Sequence, residues 1–329
     1  MKIGVMGAGA IGCYVGGRLA AAGADVTLVG RASLAAEVAE HGLHLTDYRG
    51  ADLRVRARFS DDVATLADRD LVLVTVKGGD TGAVGATLAS VVAAGARVVS
   101  FQNGVRNPEV LRAALAGRRV IAGMVPFNVV RRAGGHFHQG TSGTLAVERD
   151  GTDDLVAALR AAGLPVEQHA DMRGVLWGKL LVNLNNSVNA LADIPIKEML
   201  GQRDYRRVMA ACMREGLAAV RAAGIRPKVD VPVPPRLVPW LLTLPDGIFA
   251  VVARRLLTVD PQARSSMWDD LARGRKTEID ALNGEIVRLA DEVGTAAPVN
   301  RAIVELVRAA EGRGSPGLSA AALRAQLAV

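Results

Sequence analysis

The chain has 329 residues, with 40 Lys+Arg against 33 Asp+Glu, a formal net charge of +7 and a pI near 9.9. Half the residues are hydrophobic and 22% are charged, which excludes a disordered or low-complexity chain, and the length favours two domains of about 100–200 residues each. The basic residues divide into 34 Arg and 6 Lys, and no nucleic-acid-binding motif accompanies them. Cys13 and Cys212 are too few and too far apart for a disulfide framework or a CxxC metal site, which suits a reducing cytoplasm. The longest uncharged run, residues 81–96, falls short of the roughly 20 apolar residues of a membrane span. No targeting segment is read at the start.

Over the first 125 residues short apolar runs alternate with longer amphipathic ones, the pattern of βα units on a parallel sheet. Strands are expected at residues 2–6, 25–29, 71–76, 97–101 and 120–125, with helices at 10–22, 79–92 and 107–115. Leu53, Val55, Ala57 and Phe59 alternate with charged residues and predict one half-exposed strand. Residues 125–147 read as short strands forming an antiparallel edge on the same sheet. Strand signals fade beyond Gln168, and helices are expected at 172–191, 204–223, 262–273, 277–293 and 301–310. Residues 227–239 hold five prolines and cannot be helix interior. The expected organisation is an α/β nucleotide-binding domain over 1–170 and an all-helical domain over 171–329.

Gly7-Ala8-Gly9-Ala10-Ile11-Gly12 fits G-x-G-x-x-G, and it lies between a strand and a helix. The first glycine permits a tight turn, the second lets backbone approach a pyrophosphate, and the third allows close strand–helix packing. The expected fold is therefore a Rossmann-type doubly wound sheet. The second strand ends Val29-Gly30-Arg31, with no acid to hold a ribose 2′-hydroxyl. An arginine there can pair with a 2′-phosphate, which favours NADPH over NADH. Two further strand ends, at Lys77 and at Gln102-Asn103-Gly104, point to the same crevice. Lys77 would add charge near the cofactor or an anionic substrate, and Asn103 would offer both donor and acceptor.

In Trp177-Gly178-Lys179-Leu180-Leu181-Val182-Asn183-Leu184-Asn185-Asn186-Ser187, Lys179, Asn183 and Ser187 (or Asn186) recur four apart on one helix face. Apolar neighbours would desolvate the Lys179 amine and lower its pKa toward the range useful for proton transfer. A second cluster holds Ser265, Ser266, Asp269 and Glu278. Ser266 could bind a carboxylate and Glu278 could orient a lysine, while Ser266-x-x-Asp269 also reads as a capping box. His136 and His138 share a strand face with no third ligand nearby in sequence, so they read as solvated strand residues, and no metal site is expected.

On these residues the chain resembles the ketopantoate reductase (2-dehydropantoate 2-reductase) family, from GAGAIG at residue 7 through TEIDALNG at 277–284. The resemblance implies a Rossmann domain followed by an all-α domain similar to that of 6-phosphogluconate dehydrogenase. It also implies NADPH held by the glycines and Arg31, and Lys77 and Asn103 near nicotinamide and substrate. Lys179, in W-x-K-L-x-x-N, matches the family's general acid. Asn183, Ser266 and Glu278 match residues that hold substrate or support that lysine. Three departures bear on substrate. Asp80 stands where well-studied members carry a glutamine, LNNSVNAL is one residue shorter than their form, and Ile196 follows Pro195 where they place a substrate-contacting asparagine.

The expected activity is NADPH-dependent reduction of a 2-oxo acid, with ketopantoate to pantoate in pantothenate biosynthesis as first candidate. The implied partner is that small molecule, with no nucleic acid and no membrane, and a homodimer is the candidate assembly. The rival readings are a related two-domain dehydrogenase for another 2-oxo acid or a phosphorylated or acyl-CoA substrate, and a non-catalytic NADP-binding regulator. An acyl-CoA dehydrogenase of that plan needs a catalytic histidine, and no His follows His169.

Overall fold

The computed structural model describes residues 1–229, 233–256 and 263–329, and the chain forms two compact units, Met1–Met172 and Arg173–Val329. The first unit is built on strands β1 (Lys2–Met6), β2 (Asp25–Val29), β3 (Leu43–Asp47), β4 (Asp52–Val55), β5 (Arg58–Ser60), β6 (Leu71–Val74), β7 (Arg97–Ser100), β8 (Arg119–Met124), β9 (Val129–Arg132), β10 (His136–Gln139), β11 (Leu145–Glu148) and β12 (Val166–His169). Its helices are α1 (Ala10–Ala21), α2 (Ala32–His41), α3 (Thr81–Val91), α4 (Asn107–Ala114) and α5 (Asp153–Ala161).

Eight strands form one sheet in the order β12-β11-β8-β7-β6-β1-β2-β5. From β5 to β8 all neighbours are parallel, while β11 joins β8 antiparallel. Strand order reverses between β1 and β6, and in doubly wound sheets the ligand crevice opens at such a switch point. Alternate residues serve opposite faces, as the two-residue period of a strand requires. Leu71, Leu73, Val99 and Ile121 join the core that includes Cys13, Tyr14 and Leu19 of α1, whereas Val72, Val74, Val98 and Val120 join Val84 and Leu88 of α3 and Leu111 of α4. Each fully buried leucine here contributes about 1.5–3 kcal/mol.

A second sheet, β4-β3-β10-β9, packs on α1, where a Cβ at Gly17 would lie 2.9 Å from Leu45 Cδ1. The expected single strand over residues 53–59 is thus two strands on two sheets, since β4 pairs back on β3 and β5 extends β2 in parallel. The alternation ran unbroken because Leu53, Val55, Ala57 and Phe59 all pack against one core. Likewise, residues 125–147 are divided: β9 and β10 build the second sheet, and only β11 continues the first. Periodicity reports which face is buried, not which strand is the partner. Helix α2 and strand β3 carried no sequence expectation; α2 buries only Leu34 and Val38.

The second unit contains α6 (Met172–Asn183), α7 (Asn185–Ala192), α8 (Ile196–Gly201), α9 (Arg203–Ala222), α10 (Val238–Leu242), α11 (Asp246–Leu256), α12 (Ser266–Ala272), α13 (Asn283–Val293), α14 (Pro298–Ala310) and α15 (Ala320–Leu327). The helix expected over 172–191 is broken by a turn at Leu184, and the one expected over 277–293 begins as a 3-10 turn, Ile279–Ala281, before α13. Of the helix expected at 262–273, α12 is seen and Gln262 lies outside the described residues. Residues 230–232 of the proline-rich stretch also lie outside them; its end forms the 3-10 turn Pro235–Leu237 and α10, with Pro239 in the first turn, where the missing N–H costs no hydrogen bond. Leu181, Leu184 and Ile286 converge on Gly216, so α6, α9 and α13 share a core. No helix of the described residues is long and apolar enough to cross a membrane.

Candidate active site

The glycine turn leaves β1 at the switch point. Gly7 has φ +98°, and a Cβ there would lie 2.4 Å from Val76 Cγ1. Gly7 and Ala8 N–H groups donate to Val29 O at 3.0 and 2.8 Å, and Thr75 Oγ1 donates to Gly7 O at 2.7 Å. The turn is thereby pinned to β2 on one side and to the end of β6 on the other. A Cβ at Gly12 would lie 2.6 Å from Thr75 Oγ1, the close strand–helix approach that its position in the motif implies. Gly9 differs. It caps α1 at φ −90°, and a Cβ there would meet only Gly7 O, at 3.9 Å.

The fold itself therefore has no steric need for glycine at 9. The first-turn N–H groups of Ala10, Ile11 and Gly12 lie at this helix start and cannot be bonded within the helix, a donor set suited to an anionic group. The first turn of α1 carries no acidic side chain to compete for them. Arg31 is exposed at the tip of β2, where it caps α2 with extended backbone.

Lys77 and Asn103 lie beyond the ends of β6 and β7. Lys77 is exposed and starts the 3-10 turn Gly78–Asp80, and Asn103 is half-buried. What holds these two tips is a buried polar network the sequence reading passed over. Gln102 Nε2 donates to Val76 O at 3.1 Å and to Thr81 Oγ1 at 2.8 Å, and its Oε1 accepts from Ser100 Oγ at 3.0 Å. Asn107 Nδ2 donates to Asn103 O at 2.6 Å, and its Oδ1 lies 2.8 Å from Thr81 Oγ1. A buried polar network with its bonds satisfied rigidifies the segments that it joins. Its only sequence signal was a glutamine at a strand end.

In the second unit, Lys179 and Asn183 stand on α6, about 40° apart at 100° per residue, opposite the apolar side made by Trp177, Leu181 and Leu184. Asn183 is buried and Lys179 half-buried. Burial pushes the Lys179 amine down from 10.5 to about 8. Backbone of the 226–229 segment crosses beside it: Lys228 N–H donates to Gly174 O at 2.9 Å, and a Cβ at Gly178 would lie only 1.8 Å from Lys228 O. Gly178 is thus required by that crossing. A glycine inside a helix, costing about 1 kcal/mol relative to alanine, was the available signal.

The Ser265-Ser266 pair divides its roles. Ser265, not Ser266, caps α12, accepting from Trp268 N–H at 3.1 Å, and Ser266 is the first helical residue. The capping box read at Ser266 is therefore not formed: Ser265 is the cap, and the residue three further on is Trp268, which has no carboxylate to reach back. Ser265 N–H also donates to Asn189 Oδ1 at 2.8 Å, and Ser265 Oγ to Asn186 O at 3.1 Å, docking α12 on α7. Ser266 is left exposed beside it. Ser187 is fully buried, and its hydroxyl donates to Leu184 O at 3.0 Å. Its proton secures the turn between α6 and α7. Asn186 contributes its backbone carbonyl to the same docking.

Glu278 is half-buried at the head of the 3-10 turn before α13. The preceding Thr277 is anchored by Glu311 Oε1, which accepts from its N–H and hydroxyl at 2.8 and 2.7 Å. Of the departing positions, Asp80 is exposed, and Ile196 opens α8 with its N–H on Ala263 O at 2.9 Å. His136 and His138 are half-buried rather than solvated: both bond Thr46 Oγ1, at 2.8 and 2.7 Å, and His136 stacks on His44. Burial lowers both pKa values. Among the described residues no group of three His, Cys, Asp or Glu is placed to hold a metal ion.

The strand order and glycine turn, followed by a helical unit, define a two-unit chain with a Rossmann-type α/β unit at its start. Comparison with known proteins narrows that class. The family model described as "Ketopantoate reductase PanE/ApbA" matches residues 3–150, and its C-terminal counterpart matches residues 171–311. A 2-dehydropantoate 2-reductase of Archaeoglobus fulgidus is 31% identical over 317 residues, covering 94% of this chain and 98% of the relative. The crystal structure of a ketopantoate reductase from Ralstonia eutropha JMP134 superposes with a TM-score of 0.82 at 35% identity, covering 95% of this chain and 99% of that one. D-mandelate dehydrogenase, solved with NADH and anilino(oxo)acetate, shares the fold at 22% identity and a TM-score of 0.78, covering 95% and 99% of the two chains. The chain belongs to the ketopantoate reductase family of oxidoreductases.

Proposed function

We propose that this protein reduces a 2-oxo acid to the 2-hydroxy acid at the expense of NADPH, with 2-dehydropantoate to pantoate as the first candidate reaction. The observation that carries the reading is Lys179, a half-buried amine lowered to about 8 on a helix face it shares with Asn183. The 31% identical 2-dehydropantoate 2-reductase supports the substrate class. When bound, NADPH supplies the hydride that reaches the ketone carbon. Gly7, Gly9 and Gly12, with the N–H groups of Ala10 and Ile11, would hold its diphosphate, and Arg31 its 2′-phosphate. Lys77 and Asn103 would serve the nicotinamide end and the substrate.

Lys179 would donate its proton to the ketone oxygen as negative charge develops there, and Glu278 would support the charged amine. With a pKa of about 8, roughly nine-tenths of the amine is protonated at pH 7, yet it releases its proton far more readily than an ordinary lysine. Asn183 and Ser266 would hold the substrate. Apolar Ile196 and acidic Asp80, at positions that differ from the family pattern, favour a second reading in which the 2-oxo acid carries another side chain.

A screen of 2-oxo acids following NADPH oxidation tests both readings, and no oxidation with any of them sinks the proposal. With the best substrate, kcat/KM should fall as pH rises through about 8, where Lys179 loses its proton. Lys179→Ala should lower turnover by about 10²–10⁴-fold with NADPH affinity nearly unchanged; undiminished turnover would remove Lys179 from the mechanism. Arg31→Asp should weaken NADPH about tenfold or more, with NADH little affected, since an acid repels the 2′-phosphate and accepts the 2′-hydroxyl. Equal losses for both cofactors would count against the arginine's role.

A further inference from the structure

Thr81 and Asn107 are the first residues of α3 and α4, and both are buried, as are Ser100 and Gln102. Their side chains form one run of hydrogen bonds whose direction the geometry fixes. Asn107 lies 2.6 Å from Asn103 O and Gln102 lies 3.1 Å from Val76 O, so each turns its NH2 group to a carbonyl. Their amide oxygens then face the other way. Gln102 Oε1 takes the Ser100 hydroxyl, and Asn107 Oδ1 faces Thr81 Oγ1 at 2.8 Å. Thr81 accepts from Gln102 Nε2 and has one proton to give. Gly78 O, also 2.8 Å from the hydroxyl, already receives the Thr81 N–H. Asn107 Oδ1, lacking that proton, would face a second buried oxygen, so the proton belongs to Asn107. The run thus ends on two backbone carbonyls, and hydrogen bonds aligned in this way strengthen one another.

Helix packing does not call for this run. Helices α3 and α4 already meet through apolar groups, since a Cβ on Gly85 would lie 2.7 Å from Ala114 Cβ and 3.5 Å from Leu111 Cδ2. Val84, Leu88 and Leu111 share a core below. Apolar side chains at 81, 102 and 107 would extend that contact without burying polar atoms. What the polar run adds is its two ends. One grips the carbonyl of Val76, the neighbour of Lys77, and the other grips that of Asn103. The two turns adjoin, as a Cβ on Gly78 would lie 3.4 Å from Asn107 Oδ1 and 3.7 Å from Asn103 O. We propose that Thr81 and Asn107 are positioning residues, which with Gln102 hold Lys77 and Asn103 in place at the nicotinamide end of the cofactor. The inference rests on the reading that Lys77 and Asn103 serve that end. Thr81 is the middle link. Without its hydroxyl, Gln102 and Asn107 are uncoupled and each strands a buried polar atom.

Two ligands separate the ends of the cofactor: NADPH, and 2′-phospho-ADP-ribose, which lacks the nicotinamide. Calorimetric titration of the full chain with each gives an affinity ratio that reports on the nicotinamide end. Thr81→Val removes the hydroxyl and should weaken NADPH about tenfold, with 2′-phospho-ADP-ribose changed by less than about twofold. Asn107→Ala, cut at the next link, should show the same split. Thr81→Ser keeps the hydroxyl and should restore both affinities to those of the parent. Leu88→Ala removes apolar packing from the same helix without touching the run, and should leave the ratio unchanged. Equal effects of Thr81→Val on the two ligands, failure of the serine rescue, or an equal split in Leu88→Ala would each overturn the positioning role. Asn103→Ala tests the reading beneath it. If Asn103→Ala splits the two ligands and Thr81→Val does not, the positioning role falls and the nicotinamide reading stands. If Asn103→Ala leaves the ratio unchanged, that reading falls and the inference with it.

Discussion

A methyl group on Gly9 would meet nothing but the Gly7 carbonyl oxygen at 3.9 Å, whereas one on Gly12 would lie 2.6 Å from Thr75 Oγ1 and 2.7 Å from Gly7 O. The fold therefore requires glycine at 12 and leaves residue 9 free of steric demand, as the proposed diphosphate contact needs. Gly9→Ala should leave the urea unfolding free energy within about 0.5 kcal/mol of the parent while weakening NADPH about tenfold or more, read by fluorescence titration. Gly12→Ala should lower stability by about 1–3 kcal/mol as well. If Gly9→Ala left NADPH affinity intact, the diphosphate would not lie against residue 9. Lys179 shows the same division. Burial lowers its pKa to about 8, a cost in the charged form that the proposed proton transfer would put to use.

At the scale of elements, α6 depends on Gly178, because the Lys228 carbonyl occupies the place of a side chain there. Backbone on both sides cannot yield as a flexible side chain can. Gly178→Ala should cost about 2–4 kcal/mol in chemical denaturation, with kcat reduced because the neighbouring Lys179 moves with the helix. A stability change under about 0.5 kcal/mol would mean that the 226–229 segment shifts freely. Much of this was legible in the sequence. The glycine turn, the parallel strands and the four-residue spacing of Lys179 and Asn183 are local patterns, and local patterns survive in a single chain. The break at Leu184 was hidden because that residue keeps helical dihedrals, φ −59° and ψ −19°, so no proline or glycine announced it. Gln102 and Asn107 were hidden for another reason: their importance comes from bonds to residues 21–26 positions away, such as Thr81 and Val76. The partner of a strand is hidden in the same way: β9 and β10, expected at the edge of the large sheet, pair in the smaller one instead.

For the molecule as a whole, much of the arginine lies in exposed ion pairs such as Arg308–Asp280 and Arg301–Asp291, each contributing about 0–1 kcal/mol. Stability rests instead on the two faces of the large sheet and on the helical core around α9. The smaller sheet has a different kind of consequence. Its strands come from residues 43–55 and 129–139, joined where β3 meets β10, and Leu43, Leu45 and Phe137 lie buried there. Closing so long a loop costs entropy before any contact repays it, which makes such pairings slow. In pulse-labelled refolding, amides of β3 and β4 should gain protection after those of β1, β2 and β6; simultaneous protection would show that the larger sheet does not come first. On the ribosome the delay is built in. Leu43 and Leu45 can rest on α1, but the β3 edge stays unpaired until residue 139 has emerged, so the early chain presents an open strand edge to its surroundings for several seconds, at about 5–20 residues per second. Chaperone capture or misassociation of the nascent chain is to be sought at that point.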